Sequence, residues 1–290
     1  MIKGGIFLLN LYWYHRMKQF LFHKPPIMAK QILIPLFIFC YHFSMAQDLT
    51  LFQKKVYRST SSGQELKYRI LYPENYDAAK KYPVLLFLHG AGELGSDNEK
   101  QLVHGSALFL DPTNREKYPA IVLFPQCPEG KSWASLDIRM GESGRKMYIR
   151  NNGKEPGEMA VLLNELLQEI ASNTNVDTKR FYIMGLSMGG FGTLDMLYLY
   201  PETFAAAVPI CGGHLTDLAF VYANKVPIWL FHGAKDLVVP VDFSRDLYAK
   251  LKELGADVKY TEFPDANHDS WTSAFSTPEL LPWIFSHQKK

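Results

Sequence analysis

From about residue 50 onward, unbroken apolar runs alternate with segments whose apolar positions recur at helical spacing. Two β-rich stretches come first, Lys54 to Thr60 and Glu65 to Tyr72, separated by Ser61-Ser62-Gly63. They predict an antiparallel hairpin at a sheet edge. Next come continuous apolar runs of the kind a strand buried on both faces requires: Val84 to Leu88, Ala120 to Phe124, Phe181 to Met184, Ala205 to Ile210 and Ile228 to Phe231. A last run, Val258 to Phe263, is more polar. The clearest helix is Glu158 to Ala171, where Met159, Leu162, Leu163, Leu166, Leu167 and Ile170 share one face. Gly190 to Tyr200 predicts a second helix, stopped by Pro201, and Asp242 to Leu254 a third, stopped by Gly255. This alternation implies an α/β fold: a mostly parallel sheet with antiparallel N-terminal strands and helices on both faces. Ligands of such sheets bind beyond the carboxyl ends of the strands.

The pattern changes before residue 47. Residues 1 to 46 carry five basic residues (Lys3, Arg16, Lys18, Lys24, Lys30), no acidic one, and two apolar runs, Gly5 to Tyr14 and Gln31 to Phe43. Met28-Ala29-Lys30, the apolar stretch Ile32 to Phe39 and Ser44-Met45-Ala46 have the order of a secretory signal peptide. The expected organisation is therefore a targeting segment over 1–46, with the signal peptide at 28–46 and 1–27 an upstream extension ahead of the internal Met28, followed by one catalytic domain over 47–290. The second apolar run is shorter than the roughly 20 residues that span a bilayer, so no stable membrane insertion is expected once the signal is cleaved. The expected location is periplasmic or secreted.

Removing 1–46 changes the formal charge from 31 − 29 = +2 to 26 − 29 = −3. The basic balance belongs to the targeting segment, and nothing basic is left to suggest a nucleic-acid partner. Beyond residue 46 only Cys127 and Cys211 occur, too few for a disulfide-framed fold; buried free thiols are expected, one bridge being the alternative.

Candidate chemistry centres on Gly185-Leu186-Ser187-Met188-Gly189, which joins a predicted strand to a predicted helix. The turn is so tight that the serine takes a strained conformation, and the flanking glycines leave room for nearby backbone. A serine nucleophile needs a base and an orienting acid, which in such folds follow on later strand-end loops. Asp236 lies just past Ile228 to Phe231, 49 residues after Ser187, and His268 lies past Val258 to Phe263, 32 residues after Asp236. Asp242, Asp265 and Asp269 compete for the acid's role, while His89 and His232 each precede a glycine at a strand end and are read as turn-shaping. The oxyanion of an acyl-transfer intermediate needs two donors. Met188 N–H is one, and the loop Leu88-His89-Gly90-Ala91-Gly92-Glu93 should supply the other, from Ala91 with Gly90 in reserve. Trp133 and Trp271 are candidate substrate-binding rings. The residues form no recognisable metal-ligand cluster or cofactor fingerprint, and covalent catalysis by serine requires none.

At these residues the chain resembles the secreted α/β-hydrolases described as esterases or predicted peptidases, close to polyhydroxybutyrate-depolymerase-like and feruloyl-esterase-like enzymes. The resemblance covers roughly residues 66 to 285. It is carried by Tyr82 to Glu93, by Pro125-Gln126-Cys127-Pro128 followed by Trp133, by Val176 to Gly190, and by His232-Gly233-Ala234-Lys235-Asp236. It implies the α/β-hydrolase fold, a triad of Ser187, Asp236 and His268, and ester hydrolysis without a cofactor. The substrate expected is a small-molecule or polysaccharide ester, with acetyl or feruloyl groups of plant polysaccharide as the specific case. A serine peptidase of prolyl-oligopeptidase type and a non-catalytic binding relative are the alternatives. The loops Gly141 to Gly157 and Gly212 to Lys225 match nothing in the family and are candidates for a lid.

Overall fold

In a computed structural model of the chain, eight strands form one sheet in the order β1-β2-β4-β3-β7-β8-β9-β10. These are β1 (Gln53–Arg58), β2 (Glu65–Leu71), β3 (Tyr82–Leu88), β4 (Ile121–Pro125), β7 (Val176–Leu186), β8 (Ala206–Ile210), β9 (Ile228–Gly233) and β10 (Val258–Phe263). The structure describes residues 48–140, 146–150, 155–173 and 175–289. The expected targeting segment lies outside them, as does much of the 141–157 loop. A separate antiparallel hairpin pairs β5 (Leu136–Met140), just before that loop, with β6 (Lys146–Arg150), within it.

β1 pairs antiparallel with β2 and β2 antiparallel with β4, while every pairing from β4 to β10 is parallel. The mostly parallel sheet with an antiparallel N-terminal edge therefore matches the expectation. What the apolar pattern did not carry is the insertion of β4 between β2 and β3, a pairing between segments remote in sequence. Strand β7 also begins earlier than expected. Its polar first half, Val176 to Arg180, hid it, and its register against β3 shifts between Tyr82 and Val84.

Alternation along each strand divides the core in two. Val84, Leu86 and Leu88 face one layer with α3 (Glu158–Ala171), α4 (Met188–Leu199) and α5 (Asp242–Glu253). Leu85 and Phe87 face the other, with α1 (Ser106–Leu110), α6 (Trp271–Phe275) and α7 (Leu280–Phe285); α2 (Pro112–Lys117) follows α1 directly. On α3 the six apolar residues expected on one face are all buried, a contribution on the order of 10 kcal/mol before the entropy of ordering the chain is subtracted.

The segment 212–225 is anchored in the core. It contains a 3-10 helix, Thr216–Val221, and buries Ala219, Tyr222 and Ala223. Cys127 and Cys211 are free and buried, as the first expectation had it. Burial pushes both thiols up to about 12. Among the described residues no helix is long and apolar enough to cross a membrane.

Candidate active site

The carboxyl ends of five parallel strands carry the chemistry. β3 leads into His89 to Glu93, β7 into Ser187, β8 into Cys211, β9 into Asp236 and β10 into His268. Ser187 is the single residue between β7 and α4, with φ 52° and ψ −117°. Such a conformation costs about 1–3 kcal/mol and persists only where the surroundings enforce it. Here Ser187 N–H donates to the Ile210 carbonyl at 2.9 Å, and the Ser187 carbonyl accepts the first helical bond of α4 from Phe191 at 3.0 Å. The two glycines of the motif are sterically required. A Cβ on Gly189 would lie 1.9 Å from the Leu88 carbonyl oxygen, and one on Gly185 would lie 2.2 Å from the Gly189 oxygen.

The structure brings Ser187, His268 and Asp236 into one hydrogen-bonded chain. His268 Nε2 is 2.9 Å from Ser187 Oγ, and His268 Nδ1 is 2.7 Å from Asp236 Oδ2. The loops bearing the two partners are tied together, since Asn267 Oδ1 accepts from both His268 N–H (2.8 Å) and Leu237 N–H (3.0 Å). The Asp236 carboxylate is fully buried. Its Oδ1 accepts the N–H groups of Val238 and Val239, both at 2.8 Å, and His232 Nε2 lies 3.3 Å from Oδ2. Burial works against the charged form. Bonds from His232, His268 and the two amides outweigh it and hold the carboxyl well below the usual carboxylate range. His232 shapes this turn as expected, with Nε2 3.0 Å from the Val239 carbonyl and Nδ1 2.7 Å from Ser244 Oγ. The competing acids are engaged elsewhere: Asp265 with Lys235, Asp269 with Thr272, and Asp242 with Arg245.

Met188 and Ala91 are the two backbone donors expected at an oxyanion hole. Met188 opens α4 and Ala91 opens the 3-10 turn Ala91–Glu93, so neither N–H has an acceptor within its own helix. His89 sets the direction of the second. Its Nε2 accepts Cys127 N–H at 2.9 Å, which leaves the ring proton on Nδ1, 2.6 Å from the Gly90 carbonyl. Burial lowers the His89 pKa to about 4, a shift only partly opposed by the bond to Gly90, so the ring stays neutral at ordinary pH. Because the Gly90–Ala91 peptide is trans, holding its carbonyl on one side directs the Ala91 N–H to the other.

Trp133 corrects an expectation. It is 1% exposed, its indole N–H donates to the His89 carbonyl at 3.0 Å, and its Cβ fills the space a side chain on Gly192 would need. It therefore supports the His89 to Glu93 loop from within the core and offers substrate no ring face. Its place shortly after a strand end said nothing about which way its side chain turns. Trp271, by contrast, is partly exposed and stands edge-on to His268, with ring centroids 5.4 Å apart at 87°. Glu93 and His104 were not singled out from the sequence, yet both adjoin this group; Glu93 was visible only as the last residue of the Tyr82 to Glu93 motif and of the loop expected to supply a backbone donor.

Cys211, Asp236 and His268 place metal-ligand atoms within 4.8 Å of one another. The Asp236 and His268 atoms are already each other's hydrogen-bond partners, and the Cys211 thiol, buried and raised to about 12, is a poor source of thiolate. The arrangement suits proton transfer from a serine hydroxyl to an imidazole steadied by a buried charge.

Comparison with known proteins identifies the family. The family model described as "Putative esterase" matches residues 59–221. Carboxylesterase SOBER1 of Arabidopsis thaliana is 31% identical over 202 residues, covering 63% of this chain and 82% of that protein. An uncharacterized secreted protein of Arthroderma benhamiae is 26% identical over 237 residues, and the chain spans only 23% of its length. The crystal structure of a thermostable esterase superposes with a TM-score of 0.73 at 34% identity, covering 83% of this chain and 64% of that one. With the fold, an esterase structure at this similarity and a family match over more than half its residues, the chain belongs to the α/β-hydrolases of the "Putative esterase" family.

Proposed function

We propose that the protein is an exported carboxylic ester hydrolase with Ser187 as nucleophile, His268 as general base and acid, and Asp236 as the orienting acid. The observation that carries this reading is the unbroken chain Asp236 Oδ2, His268, Ser187 Oγ, with bonds of 2.7 and 2.9 Å. Ser187 Oγ attacks the ester carbonyl while His268 Nε2 takes its proton. The tetrahedral oxyanion is held by the N–H groups of Met188 and Ala91, each donor of this kind being worth on the order of 100- to 1,000-fold in rate. The imidazolium, stabilised by Asp236, then returns the proton to the departing alkoxide and leaves an acyl-serine. Water, activated by the same imidazole, attacks the acyl carbon, releases the acid and restores Ser187.

Export rests on the composition of residues 1–46, and the site of action is read as periplasmic or extracellular. The substrates favoured are acetyl or feruloyl esters of plant polysaccharide, since Trp271 offers a partly exposed ring beside the proton-transferring imidazole. A panel of 4-nitrophenyl acyl esters, methyl ferulate, acetylated xylan and a peptide anilide tests this on the chain from Gln47. Ester turnover that disappears in Ser187→Ala is expected. Turnover of the peptide alone would replace the reading with a serine peptidase, and no turnover of any substrate would favour a binding protein.

A further inference from the structure

A buried carboxylate beside the oxyanion loop has no part in the chemistry above. The Glu93 side chain is only 10% exposed, and its Oε2 has no hydrogen-bond partner. That oxygen lies 3.9 Å from His89 Nδ1 and 3.2 Å from the point where a side chain on Gly90 would begin. The side chain is thus packed against the loop, and a buried polar atom without a partner there calls for an explanation. The other oxygen, Oε1, faces His104, whose Nε2 is 3.6 Å away.

The contacts continue from His104 towards the reacting atoms. Its ring lies 5.3 Å from that of Trp271, which in turn stands against His268. Glu93 follows β3, His104 precedes α1 and Trp271 opens α6, so three separate segments build one wall from the oxyanion loop to the proton-transferring imidazole. His104 is 35% exposed and Trp271 partly so, and both can meet a bound molecule.

The reaction indicates which part of the substrate this wall meets. His268 must protonate the leaving oxygen, so the alcohol half of the ester lies on the His268 side, while the carbonyl oxygen turns towards Ala91 and Met188. A ring seated on His268 therefore faces the alcohol. An indole beside an imidazole whose Nε2 is turned to a carboxylate presents an apolar face and, at Nδ1, a polar atom for a hydroxyl. That pairing suits a pyranose, which has both an apolar face and ring hydroxyls, whereas an alkyl or aryl alcohol would engage the ring face alone.

We propose that Glu93, His104 and Trp271 form the leaving-group subsite and select esters whose alcohol is a sugar. Trp271 covers the apolar face of the sugar ring, His104 hydrogen-bonds a ring hydroxyl, and Glu93 is the positioning residue that holds His104. The proposal rests on the ester-hydrolase reading of Ser187.

The test compares two acetates that share an acyl group, an acetylated methyl xyloside and 4-nitrophenyl acetate, in wild type, His104→Ala, His104→Asn and Glu93→Gln. In His104→Ala the ratio of kcat/KM for the sugar ester to that for the aryl ester should fall about 10- to 100-fold, mainly through KM. His104→Asn should recover part of the loss, and Glu93→Gln should show a smaller drop in the same ratio. An unchanged ratio, or a parallel loss on both esters, would overturn the proposal. Calorimetric titration of xylotriose into Ser187→Ala and into Ser187→Ala/His104→Ala requires no turnover. Weaker binding in the double variant supports the subsite even if no ester is cleaved, and equal binding, or none to either, contradicts it.

Discussion

The two halves of the site are built on different physics. The proposed oxyanion half, at the ends of β3 and β7, lies in the middle of the sheet and relies on backbone: a strained serine, glycines pressed against carbonyls, and a neutral His89 locked between Cys127 N–H and the Gly90 carbonyl. The proposed relay half, at the ends of β9 and β10 near the sheet edge, relies on a buried charge, Asp236, held ionised by two imidazoles and two amides. A hole that receives developing negative charge gains from donors fixed before reaction. A relay that passes a proton needs a charge that responds to the imidazolium. The same sheet thus supplies rigidity at its centre and polarisation at its edge.

The largest effect should come from breaking the relay. Asp236→Asn removes the charge that stabilises the imidazolium and favours the correct tautomer, and kcat for 4-nitrophenyl acetate should fall about 10³- to 10⁴-fold with the far-UV circular dichroism unchanged. A loss below tenfold would show that His268 works without it. His89→Gln strikes the other half. It loosens the Gly90–Ala91 peptide without touching a charge, so kcat should drop about 10- to 100-fold with little change in KM.

The same substitution has a thermodynamic signature. His89 has a folded pKa of about 4 against the ordinary value of 6.5, so between these values the unfolded chain binds the proton that the folded chain refuses. Stability is therefore complete above about pH 6.5 and is lost progressively as pH falls towards 4, by at most on the order of 3 kcal/mol. Urea midpoints measured across this window should fall with acid in wild type and fall less in His89→Gln; parallel slopes would remove His89 from the account. Asp236 is shifted in the same direction from a lower ordinary value, so its contribution persists to lower pH, falling away below the usual carboxylate range and gone only once its depressed pKa is passed. The smallest effect is expected at Leu237, one residue from Asp236 but 84% exposed. Leu237→Ser should change stability by no more than about 0.5 kcal/mol, which would show that the relay is held by Asp236 and its partners and not by the apolar tip of the same loop.

Much of this was legible in the chain, and the parts that were not share a cause. Val84 to Leu88 and Ile228 to Phe231 announce themselves because a strand buried on both faces needs an unbroken apolar run. Ser187, Asp236 and His268 announce themselves because strand ends can be counted. The side chain of Trp133 could not be oriented in the same way, for beyond a strand end the two-residue alternation no longer applies. The five-residue helix Trp271–Phe275 is too short to show a period. Glu93 and His104 meet across a gap in sequence that no local pattern spans, as does the pairing of β4 with β2.

The central claim is that Ser187 is an activated nucleophile. It is tested most directly by incubating the chain from Gln47 with a fluorophosphonate and measuring its intact mass. The account predicts one adduct per chain, mapped to the peptide containing Ser187 and absent from Ser187→Ala. No adduct on folded protein, or an adduct on another residue, would contradict it.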